Sequence, residues 1–401
     1  MSARPVSATA VTRRLVPSIR EVPQALWDEQ VARGHPFKSA AFLSCLEDAF
    51  PERKFAYLMV ERGQDIVGLA VLTEERLDLT LLLPRVVGRL AAGVRKVLPR
   101  FLTLGLGMVG TFETAQRHWW YDARALSEED FAQVLLEACA EVCTDSALLL
   151  VRDFVEGEAE DQRLESWFLS RGFRQVANHP MAVVRLDGLS GEQHVQRLKR
   201  KSRQNLRKQL KDSEALGFRL ERVRPFRSLL DACYPLYLQV HEGASEFKRP
   251  PFPRAFFESL GERLPGTSSL LTLRAKDGAL LGFILTGTSG AIHNPFLIGL
   301  DYARTQGTPA YYRLLWEEIQ DGAANGCHTV DLGLTSYFVK QTLGAKLEGM
   351  TMVARVQPAW LRPVLNPLLP LLLSEKQPEE RELFRPEAGD TRQPPPTSRA
   401  A

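Results

Sequence analysis

The chain has 401 residues, 44% of them hydrophobic and 25% charged, and a formal net charge of +3. That length suits two domains, and the composition is that of a soluble globular protein, not a fibrous or membrane-spanning one. So small a net charge makes no global case for nucleic acid or membrane as partner.

The five cysteines, Cys45, Cys139, Cys143, Cys233 and Cys327, include no CxxC pair. They suit a reducing compartment, packed as small hydrophobes. Cys139 and Cys143 fall one helical turn apart, but no further ligands stand at metal spacing, so no metal site is assigned. No apolar h-region and no bilayer-length apolar run is present. A cytoplasmic location is therefore expected, with a peripheral contact at the inner face of the membrane left open.

Residues 1–20 read as a flexible lead. A helix is expected over 40–50 after the His35-Pro36-Phe37 turn, with Phe42, Leu43, Leu46 and Phe50 on one side. Strands 54–61 and 66–72 form a hairpin about Arg62-Gly63-Gln64-Asp65. Residues 77–100 mix Arg85, Arg89, Arg95, Lys96 and Arg100 with Val, Leu and Ala. Such a segment suits an anionic membrane surface or covers its own domain, and the second is preferred. A Gly-rich strand at 102–110 follows, then a helix at 128–143 opened by Ser127, with acids in its first turn. A buried strand at 147–151, a helix at 161–170 ended by Gly172, and a strand stretch at 173–186 complete the unit.

The link 193–211, QHVQRLKRKSRQNLRKQLK, is basic without one acid. Its charge suits the phosphates of CoA, tRNA or a lipid. As a solvated helix, the preferred expectation, it turns Val195, Leu198, Leu206 and Leu210 inward; it has no aromatic residue for base stacking.

The second half roughly repeats the order of the first. A strand is expected at 218–223, helices at 228–240 and 254–264, and a hairpin 269–275/280–286 about Lys276-Asp277-Gly278. A buried strand at 294–300 leads into a polar turn at 301–308. Pro309 then opens a helix with Tyr312, Leu315, Trp316 and Ile319 on one stripe, stopped by Gly326. A short strand at 329–334 and a closing strand at 350–356 follow. The Pro-rich 358–373 reads as an apolar arm for the body or a membrane surface, and disorder is expected from Glu375.

The strand, turn and helix at 294–319 make a natural anion site, because a helix N-terminus presents unpaired N–H groups and partial positive charge. The turn, Arg304-Thr-Gln-Gly307-Thr-Pro309, resembles the Arg/Gln-x-x-Gly-x-Gly/Ala turn with which the GNAT superfamily of N-acyltransferases holds the CoA pyrophosphate. Pro309 replaces the small third residue and removes one donor. Asp331-Leu-Gly333 with Lys340 and Gly344 resembles the Asp-x-Gly…Lys-x-x-x-Gly signature of the FemAB-like and CelD-like branch, although Val339 stands where that branch often has Tyr. The segment Trp167-Phe-Leu-Ser-Arg-Gly172-Phe173 resembles a GNAT C-terminal turn, and the repeated element order is that of a tandem GNAT protein.

The resemblance implies an α/β (α+β, mixed-sheet) fold of two GNAT-like units: 21–190, a basic connecting helix 191–217, a donor-binding unit 218–358, and a Pro-rich arm with a disordered tail at 359–401. It implies an N-acyltransferase whose donor is acyl-CoA, acetyl-CoA first, or aminoacyl-tRNA. The acceptor would be an amine-bearing small molecule or cell-envelope precursor in a cleft between the units. Leu300, Arg304, Gly307 and Thr308 would hold the donor; Asp331, Tyr337 and Lys340 would be catalytic. Asp301, His293 and the more remote Glu242 are further candidate bases. Lys340→Ala is expected to leave the fold intact and lower turnover, since a charged residue beside a polar turn does not carry the core. The rival reading is a scaffold without catalysis, binding RNA or an anionic membrane through 193–211.

Overall fold

The computed structural model describes residues 11–384 apart from 79, 81–90, 92, 99 and 245–249. Much of the basic segment expected over 77–100, the first half of the expected lead and the tail from 385 lie outside these residues.

In chain order the first half comprises β1 (Val11–Val16), α1 (Ala40–Ala49), β2 (Lys54–Arg62), β3 (Asp65–Asp78), β4 (Thr103–Val109), β5 (Trp119–Tyr121), α2 (Glu128–Val142), β6 (Leu148–Val155), α3 (Ala159–Ser170) and β7 (Arg174–Ala177). Residues 11–16, expected as flexible lead, are a strand, paired antiparallel with β2 from Val11–Arg62 to Val16–Tyr57. Val11 and Leu15 pack on the core beneath α2, and Val16 and Ile19 are buried, which offsets the cost of ordering the segment. Helix starts follow local chemistry. Ser39 accepts from the Phe42 amide and Ser127 from the Asp130 amide, and Glu128, Glu129 and Asp130 complement the α2 dipole. Cys139 and Cys143 are buried in the core under α2, as packing requires.

The second half comprises β8 (Met181–Arg185), α4 (Gly191–Arg197), α5 (Arg200–Ala215), β9 (Arg219–Val223), α6 (Leu230–Gly243), α7 (Arg254–Arg263), β10 (Ser268–Arg274), β11 (Leu280–Ser289), β12 (Ile292–Leu300), α8 (Ala310–Ala324), β13 (Thr329–Asp331), α9 (Tyr337–Thr342), β14 (Lys346–Glu348) and β15 (Met350–Val356). The link expected as one helix breaks into α4 and α5 where the Lys199 amide leaves the helix to donate to the Leu383 carbonyl. Val195, Leu198 and Leu206 are buried and Leu210 partly so.

The described residues form two sheets, ordered β1-β2-β3-β4-β6-β15-β7, with β5 on β3, and β9-β10-β11-β12-β13-β8-β14. Pairing is antiparallel except for β4 with β6 and β12 with β13. The halves exchange strands. The stretch expected as continuous over 173–186 divides at Asn178-His179-Pro180, and β8 enters the second sheet between β13 and β14. In return β15, expected to close the second half, lies in the first sheet between β6 and β7. Apolar alternation sets which face of a strand is buried, not which neighbour it pairs with. A shared aromatic core also joins the halves: Phe37 stacks on Phe296 with ring centroids 4.4 Å apart, and Phe42 meets Phe256 edge-on.

Residues 375–384, expected to be disordered, dock along the body. The Glu375 amide donates to Ala177, the Gln341 side chain bonds to Glu379 and Arg381, and Leu383 is buried. Among the described residues no helix is long and apolar enough to cross a membrane.

Candidate active site

β12 is interrupted on both sides. Against β11 its register slips between Leu285 and Thr286, a bulge that leaves Phe296 without a partner. Against β13 it pairs only at Ile292–Thr329 and His293–Val330. The next residues explain the parting. The Asn294 side chain donates to the Asp331 carbonyl at 2.7 Å, where a ladder bond would otherwise run, and Pro295 has no N–H to offer. Into the gap opens a cavity of about 940 Å³. Its walls are β12 from Asn294 to Leu300, the first turn of α8, the end of α6, the loop after β13 and, from the first half, His35 and the loop 112–115.

At one end lies the junction between β12 and α8. Asp301 caps a single helical turn, Tyr302–Thr305, accepting from the Arg304 amide. Gly307 at φ +74° carries the chain through a left-handed conformation that favours glycine. Pro309 caps α8. The first-turn amides of α8, which have no intrahelical acceptor, begin where Thr308, Ala310 and Tyr311 line the cavity. Of the expected donor contacts, Leu300 and Thr308 line it as well. Arg304 and Gly307 do not. The helical turn directs Thr305 inward and Arg304 outward, where its guanidinium donates to Asp277 at 2.9 Å. The Ala279 amide, with Arg304 adding to it, holds the Asp277 carboxyl below its usual range.

At the other end Asp331 is buried and held from two sides. Its Oδ1 accepts from the Gly333 amide at 2.8 Å, and its Oδ2 faces His35 Nε2 at 3.3 Å. The Phe37 amide donates to His35 Nδ1, so the ring proton of the neutral imidazole sits on Nε2, toward Asp331. Burial pulls the His35 pKa down against the opposing pull of Asp331, favouring that neutral form. Two more buried bases lie behind it. Burial lowers Lys38 to about 8, and burial with the nearby Lys38 and Arg152 charges takes His118 well below its ordinary value.

Lys340 lines the cavity but is only 4% exposed, and its ammonium donates to the Leu334 carbonyl, closing the loop 334–340. The side chain expected to stand beside a polar turn, and so to be dispensable to the fold, is buried within it. Tyr337 lies off the lining, its hydroxyl donating to the Pro180 carbonyl at 2.9 Å. Tyr311 takes the cavity side instead. It hydrogen-bonds to Ser336, and burial raises it to about 12.

The remaining candidate bases are elsewhere. His293 is buried between Glu318 Oε2 (2.6 Å) and Thr288 Oγ1 (2.9 Å), in a network that Arg222 completes. His293 and Arg222 hold the Glu318 carboxyl below its usual range despite burial. Asp301 is spent as a cap, and exposed Glu242 is off the lining. His35 and Tyr311 escaped the sequence reading. His35 reads as part of a turn, and its partner stands 296 positions away.

Residues 200–341 match the acetyltransferase (GNAT) domain family model. The whole chain is similar in fold to several solved structures. FemX superposes with a TM-score of 0.58 at 12% identity, covering 88% of this chain and 100% of FemX. A tandem GNAT protein from the clavulanic acid biosynthesis pathway gives 0.51 at 12%, covering 87% and 100%. L-PGS from Bacillus licheniformis gives 0.51 at 14%, covering 89% and 98%. No curated protein sequence matches the chain.

Proposed function

Because the chain carries a GNAT acetyltransferase domain on a tandem GNAT fold, we propose that it is an N-acyltransferase taking its acyl group from acyl-CoA, acetyl-CoA first. The observation that carries this reading is the parting of β12 from β13 beside a helix N-terminus, with a buried carboxylate at the far end of the same cavity. The donor lies along the open edge of β12, where unpaired backbone N–H groups polarise the thioester carbonyl. Its pyrophosphate meets the first turn of α8 and the side chain of Thr308. Arg304 would have to exchange Asp277 for a phosphate, so main-chain amides do most of the gripping.

The acceptor amine enters from the side of the first half, toward His35 and Asp331. Asp331 holds the incoming ammonium and takes its proton; His35, with both ring nitrogens engaged, keeps the carboxylate oriented. The neutral amine nitrogen then attacks the thioester carbon, the C–N bond forms, the C–S bond breaks, the second proton leaving the nitrogen passes to solvent, and the thiolate is protonated. Tyr311 suits that last step better than Tyr337, since its side chain lines the cavity. Lys340 positions the loop that follows Asp331. A location in the cytoplasm follows from the donor, and the acceptor is an amine-bearing small molecule or cell-envelope precursor.

Acetyl-CoA should raise the melting temperature by mass action, and thiol release from it should depend on an added amine. Stabilisation by aminoacyl-tRNA but not by any acyl-CoA would move the donor to that alternative. Stabilisation by neither overturns the transferase reading.

A further inference from the structure

After β15 the chain continues as three short helical pieces, Arg362–Leu365, Asn366–Leu368 and Leu369–Leu373. Leu361, Leu365, Leu369 and Leu373 recur every fourth residue and pack on the first sheet against Leu148, Leu150, Val176 and Val356. The residues between them are apolar too, and face outward: Trp360 is 78% exposed, Val364 65%, Leu371 83% and Leu372 66%. The polar side chains among them turn inward. Arg362 donates to the Val356 and Gln357 carbonyls, and Asn366 bonds to the Val356 amide and the Gly172 carbonyl. A surface helix that is apolar all round, with so large an outer patch, is built to be covered.

A second exposed apolar stretch lies toward the same end of the first sheet. The Gln357 amide donates to Ala147 and the Ala147 amide to Gly105, so the arm begins at the end of the sheet where β4 begins. There Val97 is 82% exposed and Leu98 58%, while Arg100 lies 3.6 Å from Asp145 in the turn before β6. Charge identifies the cover. Between Asp78 and Glu113 the sequence has no acid but carries Arg85, Arg89, Arg95, Lys96 and Arg100; between Glu348 and Glu375 it has no acid but Arg355 and Arg362. Of the described cations Lys96 and Arg100 stand exposed beside Val97 and Leu98, and a second copy on this face would set like charges together. An anionic bilayer takes both features, with Trp360 and the leucines at the acyl boundary and the exposed Lys96 and Arg100 at the phosphates.

We propose that residues 359–373, with residues 93–98, 100 and 101 toward the same end of the first sheet, dock the protein on an anionic lipid surface, a role independent of the acyl-transfer reading. The test is flotation with phosphatidylcholine–phosphatidylglycerol vesicles and with phosphatidylcholine alone, using the full chain and the triple variant Trp360→Ser, Leu371→Ser, Leu372→Ser. The unaltered protein floats with the anionic vesicles only. The triple variant keeps its melting temperature and loses about tenfold or more in partitioning, as removal of three exposed apolar side chains requires. The proposal is overturned if the unaltered protein stays with the unbound fraction, if the variant floats equally well, or if the protein sediments as a dimer that the variant dissociates.

Discussion

β4 and β6 in the first half and β12 and β13 in the second are corresponding parallel pairs, and they are put to different use. The first pair stays hydrogen-bonded from Leu106–Leu148 to Val109–Val151. Its near end is packed so tightly that a Cβ on Gly105 would sit 2.1 Å from the Asp145 carbonyl oxygen. The second pair parts after His293–Val330, and the cavity fills the gap. Each pair is followed by a buried aspartate. Asp153, at φ +64°, is bonded to Asn178 and Arg152 inside the protein, whereas Asp331 faces the cavity. A cavity therefore arises here from an interruption, Asn294-Pro295, placed in a topology that otherwise closes.

The largest expected effect separates the two aspartates. Asp331→Asn should lower turnover by about 10²–10⁴-fold, the usual worth of a positioned acid–base group. Asp153→Asn keeps the Asn178 contact through its amide oxygen and should leave turnover within a few-fold of the unaltered protein. Steady-state rates of both variants decide it: equal losses would mean that the first pair belongs to the chemistry after all.

Much of this fold is legible in the sequence because its signals are local. Ser39 and Ser127 mark helix starts, the hairpin about Arg62–Asp65 follows from its turn residues, and the Asp301–Pro309 turn between a strand and a helix marks one end of the cavity. What escaped depends on partners far apart in the chain. Whether residue 304 or 305 faces the cavity turns on one helical turn capped by Asp301. The exchange of β8 and β15 leaves no periodic trace, since a strand buried on both faces looks alike in either sheet. The tail at 375–384 looks polar, yet the main-chain bond from Lys199 to Leu383 and the burial of Leu383 hold it.

Two smaller effects sharpen the contrast through backbone and burial. Gly105→Ala drives a methyl into backbone and should cost about 1–3 kcal/mol of stability, as overpacking does. Gly307→Ala meets no atom within 4 Å and should cost only the left-handed penalty, about 1–2 kcal/mol. Urea midpoints measure both, and a reversed order would mean that the first pair is the looser one. The buried imidazoles supply a pH test. Burial lowers the pKa of both His35 and His118, so the folded state holds them neutral while the unfolded chain takes up protons below about pH 6.5. Stability should be intact above that value and fall as the pH drops through it toward the folded pKa. His118→Gln should flatten the fall; a urea midpoint unchanged on acidification would show these rings are not held neutral.

The smallest effect concerns the end of the cavity most visible in the sequence. Arg304 and Asp277 form an exposed ion pair, and such pairs contribute little to stability. If the α8 amides grip the donor, Arg304→Ala should leave kcat and the melting temperature alone and raise KM for acyl-CoA only about two- to fivefold, as the loss of one screened charge implies. Asp277→Ala should act in the opposite direction, since it removes the carboxylate that competes with phosphate for the guanidinium; KM should fall, and added salt should shrink both differences. A loss of binding approaching a hundredfold in Arg304→Ala would mean that the arginine swings inward and carries the pyrophosphate, so that a side chain, and not the parted backbone of β12 and α8, makes the second half the donor half.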